Sequence, residues 1–193
     1  MTDAVAPDSR WDDGRVPAGL ILLIGPPASG KSTFARAWVE GGQLDADGVV
    51  SCDSIRNELC GARVDVSDDP VIFDEMDRRV AARLRAALAV VVDATNVMPH
   101  ARCRMIAWAR QYGRPVTALR FRVADEVLVD RNSGRPEQAR VPTGDVLHYA
   151  AIAARHTARN QLIDEGVSVV IDVPGEAEGF SPAAAAAMIC LTA

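Results

Sequence analysis

The stretch Gly25-Pro26-Pro27-Ala28-Ser29-Gly30-Lys31-Ser32-Thr33 decides the fold of this chain. It fits the pattern G-x-x-x-x-G-K-[ST], in which the backbone N–H groups of a glycine-rich turn surround phosphate groups at a helix N-terminus. The apolar run from Leu20 to Ile24 before it predicts a strand that is buried on both faces. Phe34 and Trp38 lie four residues apart after it, as on one face of a helix. The stretch is therefore predicted to bind the phosphates of a nucleotide.

Lys31 and Ser32 occupy the two chemically specific positions of this motif. Lys31 is expected to reach the β- and γ-phosphates of ATP, and the Ser32 hydroxyl is expected to bind Mg²⁺. Of the 21 Lys and Arg residues in the chain, Lys31 is the only lysine. Because a planar guanidinium is not interchangeable with a compact ammonium at this position, the placement of the one lysine supports the motif.

Length and composition indicate one soluble globular domain. The chain has 193 residues, of which 49% are hydrophobic and 24% are charged. No apolar run approaches the ~18 residues of a membrane span, and the N-terminus lacks the pattern of a signal peptide. The four cysteines (Cys52, Cys60, Cys103 and Cys190) form no metal or disulfide pattern, which favours reduced thiols in a cytoplasmic protein.

The charge is unevenly distributed along the chain. The net charge is −5, yet residues 100–160 contain eleven arginines and five acidic residues. Such a basic segment in an acidic protein is typical of a protein that handles phosphates at one place. A solvated basic surface explains the same distribution equally well.

Apolar runs alternate with amphipathic segments, which indicates an α/β fold. Strands are predicted at residues 20–24, 49–53, 89–93, 115–123 and 167–173, and helices at residues 31–40, 54–59, 71–88, 99–112, 125–130 and 143–160, the last of them capped by Thr143. Residues 1–18 are expected to be a flexible N-terminal segment, and residues 19–193 a single domain that ends in a short helical stretch. Alternating strands and helices predict a parallel sheet covered by helices on both faces. Ligands of such sheets bind beyond the carboxyl ends of the strands.

Asp53 and Asp93 each close a predicted strand and are therefore expected to meet at this edge. Asp93 follows an apolar strand, the usual place for an acid that binds Mg²⁺ or its water in phosphate-loop proteins. Asp53 is expected to act as the general base on the hydroxyl of the phosphate acceptor. Capping of the following helix is the alternative role for either aspartate.

Arg131 and Arg135 are candidates for contacts with the transferred phosphoryl group. They are four residues apart and would share one face of a helix. Arginines in a segment above the phosphate loop would neutralise the charge that develops on that group. Solvated arginines on a loop are the alternative.

Three short motifs that accompany the loop resemble one known family. They are Asp53-x-x-Arg56, Val91-Val92-Asp93-Ala94-Thr95-Asn96 and Arg131-x-x-x-Arg135. With the phosphate loop they are similar to the 5′-hydroxyl polynucleotide kinase family, and in particular to the kinase module of bacterial and phage polynucleotide kinase-phosphatases. The resemblance covers residues 19–173.

The resemblance implies a fold and a set of roles. The fold would be a P-loop kinase fold with a five-stranded parallel sheet of order 2-3-1-4-5 and an arginine-bearing lid at about residues 125–142. Asp53 would be the base that activates a 5′-hydroxyl, and Arg56 would hold the neighbouring phosphate of the acceptor, with Thr95 also on the substrate side. Arg131 and Arg135 would belong to the lid above the ATP phosphates. The implied cofactors are ATP and Mg²⁺.

Two departures from the family leave the acceptor open. Ala28 stands where such loops often have a further glycine, which is tolerated if its φ is negative. No phosphatase or ligase module accompanies the kinase motifs in this sequence. The hypotheses are a polynucleotide 5′-kinase acting on RNA or DNA, a small-molecule kinase (for a sugar, nucleoside, antibiotic or nucleotide-sugar), and a regulatory nucleotide-binding ATPase.

Charge and motif content bear differently on these hypotheses. An acceptor side for a polynucleotide should be basic. Several arginines fit this requirement and several nearby acids do not: Arg56, Arg78, Arg79 and Arg83 against Asp65, Asp68, Asp69, Asp74, Glu75 and Asp77. The pair Asp53 and Arg56 argues against a regulatory ATPase, because a switch needs no base for an acceptor.

Overall fold

The structure is a computed structural model that describes residues 14–60 and 69–192. Its centre is strand β2 (Leu20–Ile24), every residue of which is buried. Leu22 and its alternate neighbours belong to one apolar cluster, whereas Ile21 and Leu23 belong to a second cluster on the opposite face. This is the burial on both faces that the continuous apolar run predicts.

Five parallel strands form the main sheet. In sheet order they are β3 (Val49–Ser51), β4 (Val90–Asp93), β2, β5 (Val116–Phe121) and β6 (Val169–Val173). In the register of the sheet, Leu22 pairs with Val92 on one side and with Ala118 on the other. Counted along the chain within this sheet, the order is the predicted 2-3-1-4-5. The carboxyl ends of β2 and β4 therefore lie side by side.

Helices cover both faces of the sheet. They are α1 (Lys31–Glu40), α2 (Cys52–Cys60), α3 (Asp69–Arg85), α4 (Pro99–Gln111), α5 (Asp125–Ser133), α6 (Thr143–His156), α7 (Arg159–Glu165) and α8 (Pro182–Met188). Residues of α2, α3, α4 and α7 pack on one face, and residues of α1 and α8 pack on the other. Phe34 and Trp38 of α1 are both fully buried, as their spacing predicts, with ring centroids 5.0 Å apart.

The predicted helix over residues 143–160 is wrong in two respects. The segment forms two helices, α6 and α7, because the chain leaves the helical conformation at Thr157, whose hydroxyl donates to the carbonyl of Ala153. Thr143 is the first residue of α6 rather than its cap, since Pro142 precedes it and no side chain caps the helix.

The prediction of a flexible segment over residues 1–18 is wrong for its last residues. Strand β1 (Arg15–Pro17) pairs in parallel with strand β7 (Cys190–Thr192). Val16 is fully buried in the cluster that also contains α1 and α8. Residues 1–13 lie outside the described residues.

Two predictions from composition bear on the environment of the protein. Within the described residues, no helix is both long and apolar enough to cross a membrane. Cys52, Cys103 and Cys190 are reduced thiols. The side chain of Cys60 lies outside the description, so the prediction of a reduced thiol there stays a prediction.

Candidate active site

The phosphate loop, residues 25–30, connects β2 to α1 and depends on two glycines. A Cβ atom at Gly25 would lie 2.8 Å from Ser29 Oγ and 3.0 Å from the carbonyl oxygen of Phe121. Gly30 has a φ of +99°, and a Cβ there would lie 2.4 Å from Pro182 Cγ. Neither position has room for a side chain, so the close approach of the backbone to its surroundings requires glycine at both.

Ala28 does not meet the condition of a negative φ under which an alanine is tolerated at this position. Its φ is +65°, in the left-handed region where non-glycine residues are uncommon. Its methyl group is buried against Leu128 of α5 and Val146 of α6. This apolar contact offsets part of the backbone strain and joins the phosphate loop to α5, the first helix of the predicted lid, and to α6, the helix that follows the lid.

The ammonium group of Lys31 lies inside the loop. It donates hydrogen bonds to the carbonyl oxygens of Gly25 at 2.9 Å and Pro26 at 2.7 Å, and to Ser29 Oγ at 3.3 Å. Only 7% of Lys31 is exposed. The residue therefore places a single positive charge at the centre of the loop.

The pKa of Lys31 shows which predicted residues surround it. Burial lowers this pKa to about 8, while the carboxylates of Asp93 and Asp53 raise it and the guanidinium of Arg135 lowers it. Charges that affect a buried ammonium group lie near it, since solvent screens distant charges. The fold thus brings together residues from the phosphate loop, from α2, from the end of β4 and from the lid segment.

Ser32 and Asp93 are in direct contact at the end of β4. The Ser32 hydroxyl hydrogen-bonds to the Asp93 carboxylate. Burial raises the pKa of Asp93, and the bond from Ser32 and the charge of Lys31 partly offset this effect. A hydroxyl and a carboxylate are hard oxygen ligands, and Mg²⁺ in phosphate sites typically takes one or two such ligands besides water and phosphate oxygens. The pair fits the predicted metal position.

Asp53 lies in the first turn of α2 and not at the end of a strand, because β3 ends at Ser51. The capping alternative does not apply to it, since Ser51 Oγ accepts the hydrogen bond from the Ser54 N–H at 3.4 Å. The Asp53 side chain is 91% exposed, and Arg56 Nη1 lies 3.2 Å from its Oδ1. An accessible carboxylate beside an arginine is therefore available to a substrate.

The two arginines of the lid segment do not share a helix face. Arg131 lies in α5, but this helix ends at Ser133 and Arg135 follows it. Arg131 Nη1 lies 3.4 Å from the carbonyl oxygen of Ser29, and its Nη2 donates to Glu176 Oε1 at 2.6 Å. Arg131 thus lies at the phosphate loop and is paired there with a carboxylate from the segment after β6.

The turn after β4 depends on Asn96, to which the sequence analysis assigned no role. Asn96 has a φ of +49°, and its amide donates to the carbonyl oxygens of Leu23 at 2.9 Å and Val92 at 3.1 Å. The neighbouring carbonyl of Thr95 accepts the N–H of Gly25 at 3.0 Å. The motif that contains Asp93 is therefore fastened to the start of the phosphate loop, and Thr95 lies at the predicted site.

A buried arginine on α4 donates hydrogen bonds to the backbone of this turn. Arg102 of α4 is fully buried and donates to both carboxylate oxygens of Glu165, at 2.7 and 2.6 Å. It also donates to the carbonyl oxygens of Asn96 at 2.8 Å, Val97 at 2.9 Å and His156 at 2.7 Å. The turn after β4 and the end of α6 are thus joined through one side chain.

A cavity of about 390 Å³ opens beside the phosphate loop. Its walls include Gly25 and Pro26, whose carbonyls accept the Lys31 ammonium, together with Arg122 and with Ala150 and Ala153 of α6. Small side chains on α6 leave this space open. The cavity places room for a ligand next to the charged centre of the loop.

The sheet order, the loop after the central strand and the acid at the end of the neighbouring strand β4 define a P-loop kinase fold. This fold implies nucleotide binding and typically Mg²⁺. The chain belongs to the AAA_33 family, described as an AAA domain, whose family model matches residues 20–159.

Solved structures of known proteins show the same fold. A structure of the Pnkp1/Rnl/Hen1 RNA repair complex is 25% identical, with a TM-score of 0.61, over 72% of this chain and 45% of that chain. A second structure of a Pnkp1/Rnl/Hen1 complex is 28% identical, with a TM-score of 0.52, over 59% and 38% of the two chains. The chain thus spans less than half of the length of these two proteins.

A small-molecule kinase has the same fold. A gluconokinase from Sinorhizobium meliloti 1021 is 20% identical, with a TM-score of 0.53, over 87% of this chain and 90% of that chain. No curated protein sequence matches the chain. The class is therefore a P-loop kinase of the AAA_33 type, and the structures with this fold include kinases of different acceptors.

Proposed function

We propose that this protein transfers the γ-phosphate of ATP to the 5′-hydroxyl end of RNA or DNA. The observation that carries the proposal is the exposed carboxylate of Asp53 on α2, which has Arg56 beside it and interacts electrostatically with Lys31 and Asp93. A kinase needs a base for the acceptor hydroxyl near the phosphate loop, and a polynucleotide acceptor adds a phosphate for an arginine to bind. The 25% identity to the RNA repair complex supports the same function.

On the donor side, residues 25–33 would surround the ATP phosphates. The first N–H groups of α1 have no partner within the helix and point towards its N-terminus, where they would bind phosphate oxygens. Lys31 would exchange its loop carbonyl acceptors for the β- and γ-phosphates. Arg131 and Arg135 would close over the same phosphates and stabilise the charge on the transferred group.

Ser32 and Asp93 would hold Mg²⁺, which supplies charge neutralisation at the phosphate oxygens when it is bound. The raised pKa of Asp93 reflects the cost of burying its charge, and a cation beside it removes that cost. The remaining ligands would be water and phosphate oxygens.

On the acceptor side, Asp53 would accept the proton of the 5′-hydroxyl as that oxygen attacks the γ-phosphorus. Arg56 would bind the 3′-phosphate of the same nucleotide through two parallel hydrogen bonds. Thr95, at the turn beside Gly25, would contact the acceptor between these groups and the phosphate loop.

A small-molecule kinase is the second candidate, and one observation favours it. Arg78 and Arg79, which the sequence offered for a polynucleotide, are bound to the carboxylates of Glu75 and Glu58. A small acceptor would need no further basic surface.

The experiment compares a nucleoside with its 3′-monophosphate as acceptors for the wild type and for Arg56→Ala, with labelled ATP. The contact at Arg56 is worth about 1.5–3 kcal/mol, or roughly 10- to 150-fold in KM for the 3′-monophosphate, with little change in KM for ATP. Arg78→Ala on α3 is the matched control and should change neither. Equal use of both acceptors by the wild type would reject the polynucleotide assignment and favour the small-molecule kinase.

A further inference from the structure

A single buried asparagine closes the loop of the predicted lid. Helix α5 ends at Ser133 and α6 begins at Thr143, so residues 134–142 connect the two helices. Asn132, in the last turn of α5, is 4% exposed. Its amide nitrogen donates to the carbonyl oxygen of Val141 at 2.7 Å, and its amide oxygen accepts the N–H of Val141 at 3.1 Å. The two ends of the loop are thus joined through one side chain.

These two hydrogen bonds, which we call the Asn132–Val141 clasp, suit an asparagine. Its amide carries both a donor and an acceptor, so it can pair with the N–H and the C=O of one residue, as an opposing residue does in an antiparallel strand pair. Val141 needs such a partner because it is half-buried and lies outside any helix or strand. Alanine at position 132 would leave both backbone groups without these bonds.

The clasp is anchored to the phosphate loop. Leu128 of α5 and Val146 of α6 are fully buried and pack with Ala28 of that loop. Val141 packs against the same cluster. The lid loop is therefore fixed at both ends to the segment that would bind the phosphates of ATP.

Inside the lid loop, the backbone of Arg135 is bonded on both sides. Its N–H donates to the carbonyl oxygen of Asn132 at 3.2 Å, and its carbonyl oxygen accepts from Arg140 Nε at 2.8 Å. Its guanidinium is close enough to Lys31 to lower the pKa of that residue. The bonds of the loop thus set the position from which the Arg135 side chain reaches the phosphate loop.

We infer that Asn132 is a positioning residue for phosphoryl transfer, because the Asn132–Val141 clasp holds the lid loop in the shape that places Arg135 beside the phosphate loop. The inference rests on the proposed function but concerns its donor side, so it does not depend on which acceptor takes the phosphate. A guanidinium held in advance stabilises the charge on the transferred group without a further loss of conformational freedom. Without the clasp, Arg135 remains present, but its loop samples many conformations of which few are productive.

The kinetic test compares Asn132→Ala in two backgrounds at saturating ATP and fixed free Mg²⁺. We expect Asn132→Ala to lower kcat about 10- to 100-fold, the loss typical of a misplaced group, and to change KM for ATP less than about threefold. In Arg135→Ala, the added change should alter kcat less than about twofold, because the group that Asn132 positions is already absent. An equal loss in both backgrounds would overturn the inference, since a general structural defect acts regardless of Arg135.

A conservative variant keeps the inference testable if Asn132→Ala does not fold. Asn132→Asp retains the size of the side chain and the acceptor for the Val141 N–H, and it removes only the donor to the Val141 carbonyl. It should lower kcat at least about threefold, and this loss should disappear in Arg135→Ala. A loss of the same size in both backgrounds would count against the inference in the same way.

Proteolysis tests the clasp without any kinase activity. Trypsin cleaves after arginine, and the bond between Arg140 and Val141 contains the N–H that Asn132 accepts. In the absence of ATP, Asn132→Ala should be cut at this bond at least about tenfold faster than the wild type, because cleavage requires the loop to open. The masses of the fragments identify the cut. Equal rates of cleavage at this bond would overturn the inference.

Ser133→Ala is the matched control on the same turn of α5. The Ser133 side chain is exposed, and its hydroxyl donates to the carbonyl oxygen of Asp130 within the helix. Its removal leaves the clasp intact. The rate of cleavage by trypsin and kcat should therefore both stay within about twofold of the wild type.

The two proposals fail in different ways. If the wild type transfers phosphate to neither polynucleotides nor small molecules, the proposed function is wrong, and the role of Asn132 in transfer fails with it. If the wild type transfers phosphate and the Asn132 variants lose the same factor with and without Arg135, the proposed function stands and the positioning inference alone is wrong. If the acceptor is a small molecule, the same comparison of variants is made with that acceptor.

Discussion

At the scale of single residues, the protonation of Lys31 is a measurable property of the site. Its pKa of about 8 means that the ammonium is charged below this pH and loses its proton above it. We expect kcat/KM for ATP, which reports the free enzyme, to fall as the pH rises through about 8. Lys31→Ala should abolish transfer, and Lys31→Arg should be badly impaired because the guanidinium does not fit the loop. Turnover of Lys31→Ala at the wild-type rate would refute the role of the loop.

Asp53 and Asp93 are predicted to differ in what their removal does. Asp53→Asn keeps the shape of the side chain and removes the base, so transfer should fall ~10²-fold or more while ATP still binds. Asp93→Asn should instead raise the Mg²⁺ concentration required for half-maximal activity. Titration of Mg²⁺ with both variants separates the two roles. A near-normal rate for Asp53→Asn beside an inactive Asp93→Asn would show that the roles are wrongly assigned.

The sequence alone identified the residues whose type is required by the chemistry of the site. Lys31 and Asp93 follow from the chemistry of phosphate binding, whereas the left-handed conformation of Ala28 depends on contacts with Leu128 and Val146, far along the chain. The sequence weakly indicates the structural role of Arg102, because this arginine lies on the buried face of α4 with Met105. An arginine in such a position needs buried partners, and the identity of Glu165 as that partner is set only by the fold.

At the scale of elements, the link between α5 and the segment after β6 controls Arg131. The ion pair between Arg131 and Glu176 is partly exposed, so its opening should cost at most about 1 kcal/mol. Glu176→Gln removes this cost and should lower KM for ATP by up to roughly fivefold at low salt, with a smaller effect at high salt. Steady-state kinetics of wild type and Glu176→Gln at two ionic strengths measure this change in KM for ATP.

The matched comparisons for this ion pair use Glu137→Gln and the Arg131→Ala background. Glu137 lies in the lid segment, outside the ion pair of Arg131, and its substitution should leave KM for ATP unchanged. In Arg131→Ala, the additional change Glu176→Gln should have no effect, because the partner is already absent. A full effect of Glu176→Gln in that background would show that Glu176 acts independently of Arg131.

Elements with a strong local signal were predicted and those that depend on distant pairing were not. β2 and β4 follow from apolar runs, and α1 follows from its spacing. β1 and β7 contain three residues each and exist because the two ends of the described chain pair with one another. A pattern of three residues carries no periodicity, so the sequence gives no signal for such a pair.

At the scale of the whole molecule, the number of arginines in a segment of the sequence did not show which of them are available to phosphates. Their positions in the fold do. Residues 100–160 carry the excess of arginine, yet Arg102 is buried against Glu165 and Arg120 pairs with Asp172 on β6. Arg104 pairs with Asp77 on α3. Part of the basic segment therefore serves the architecture of the protein, and only the structure separates these arginines from those beside the phosphate loop.

The C-terminal segment, residues 181–192, packs against α1, the helix that begins at the phosphate loop. Trp38 Nε1 of α1 donates to the carbonyl oxygens of Ala186 at 3.1 Å and Ile189 at 2.9 Å, and Pro182 lies against Gly30. Trp38→Phe removes the donor from a buried site and leaves both carbonyls without it. We expect the free energy of unfolding to fall by about 1–3 kcal/mol, measured by denaturant unfolding.

Trp38→Phe should also weaken ATP binding at the active site if α1 and the phosphate loop move together. Binding of ATP with Mg²⁺ stabilises the folded state, so Tm rises with ATP concentration. In Trp38→Phe this rise should be smaller, because α1 is held less firmly where its first N–H groups would meet the phosphates. Met188→Ala, at a side chain that is 48% exposed on α8, should change neither stability nor the response to ATP. Loss of stability in Trp38→Phe with an undiminished response to ATP would mean that the C-terminal segment supports the fold without supporting the phosphate loop.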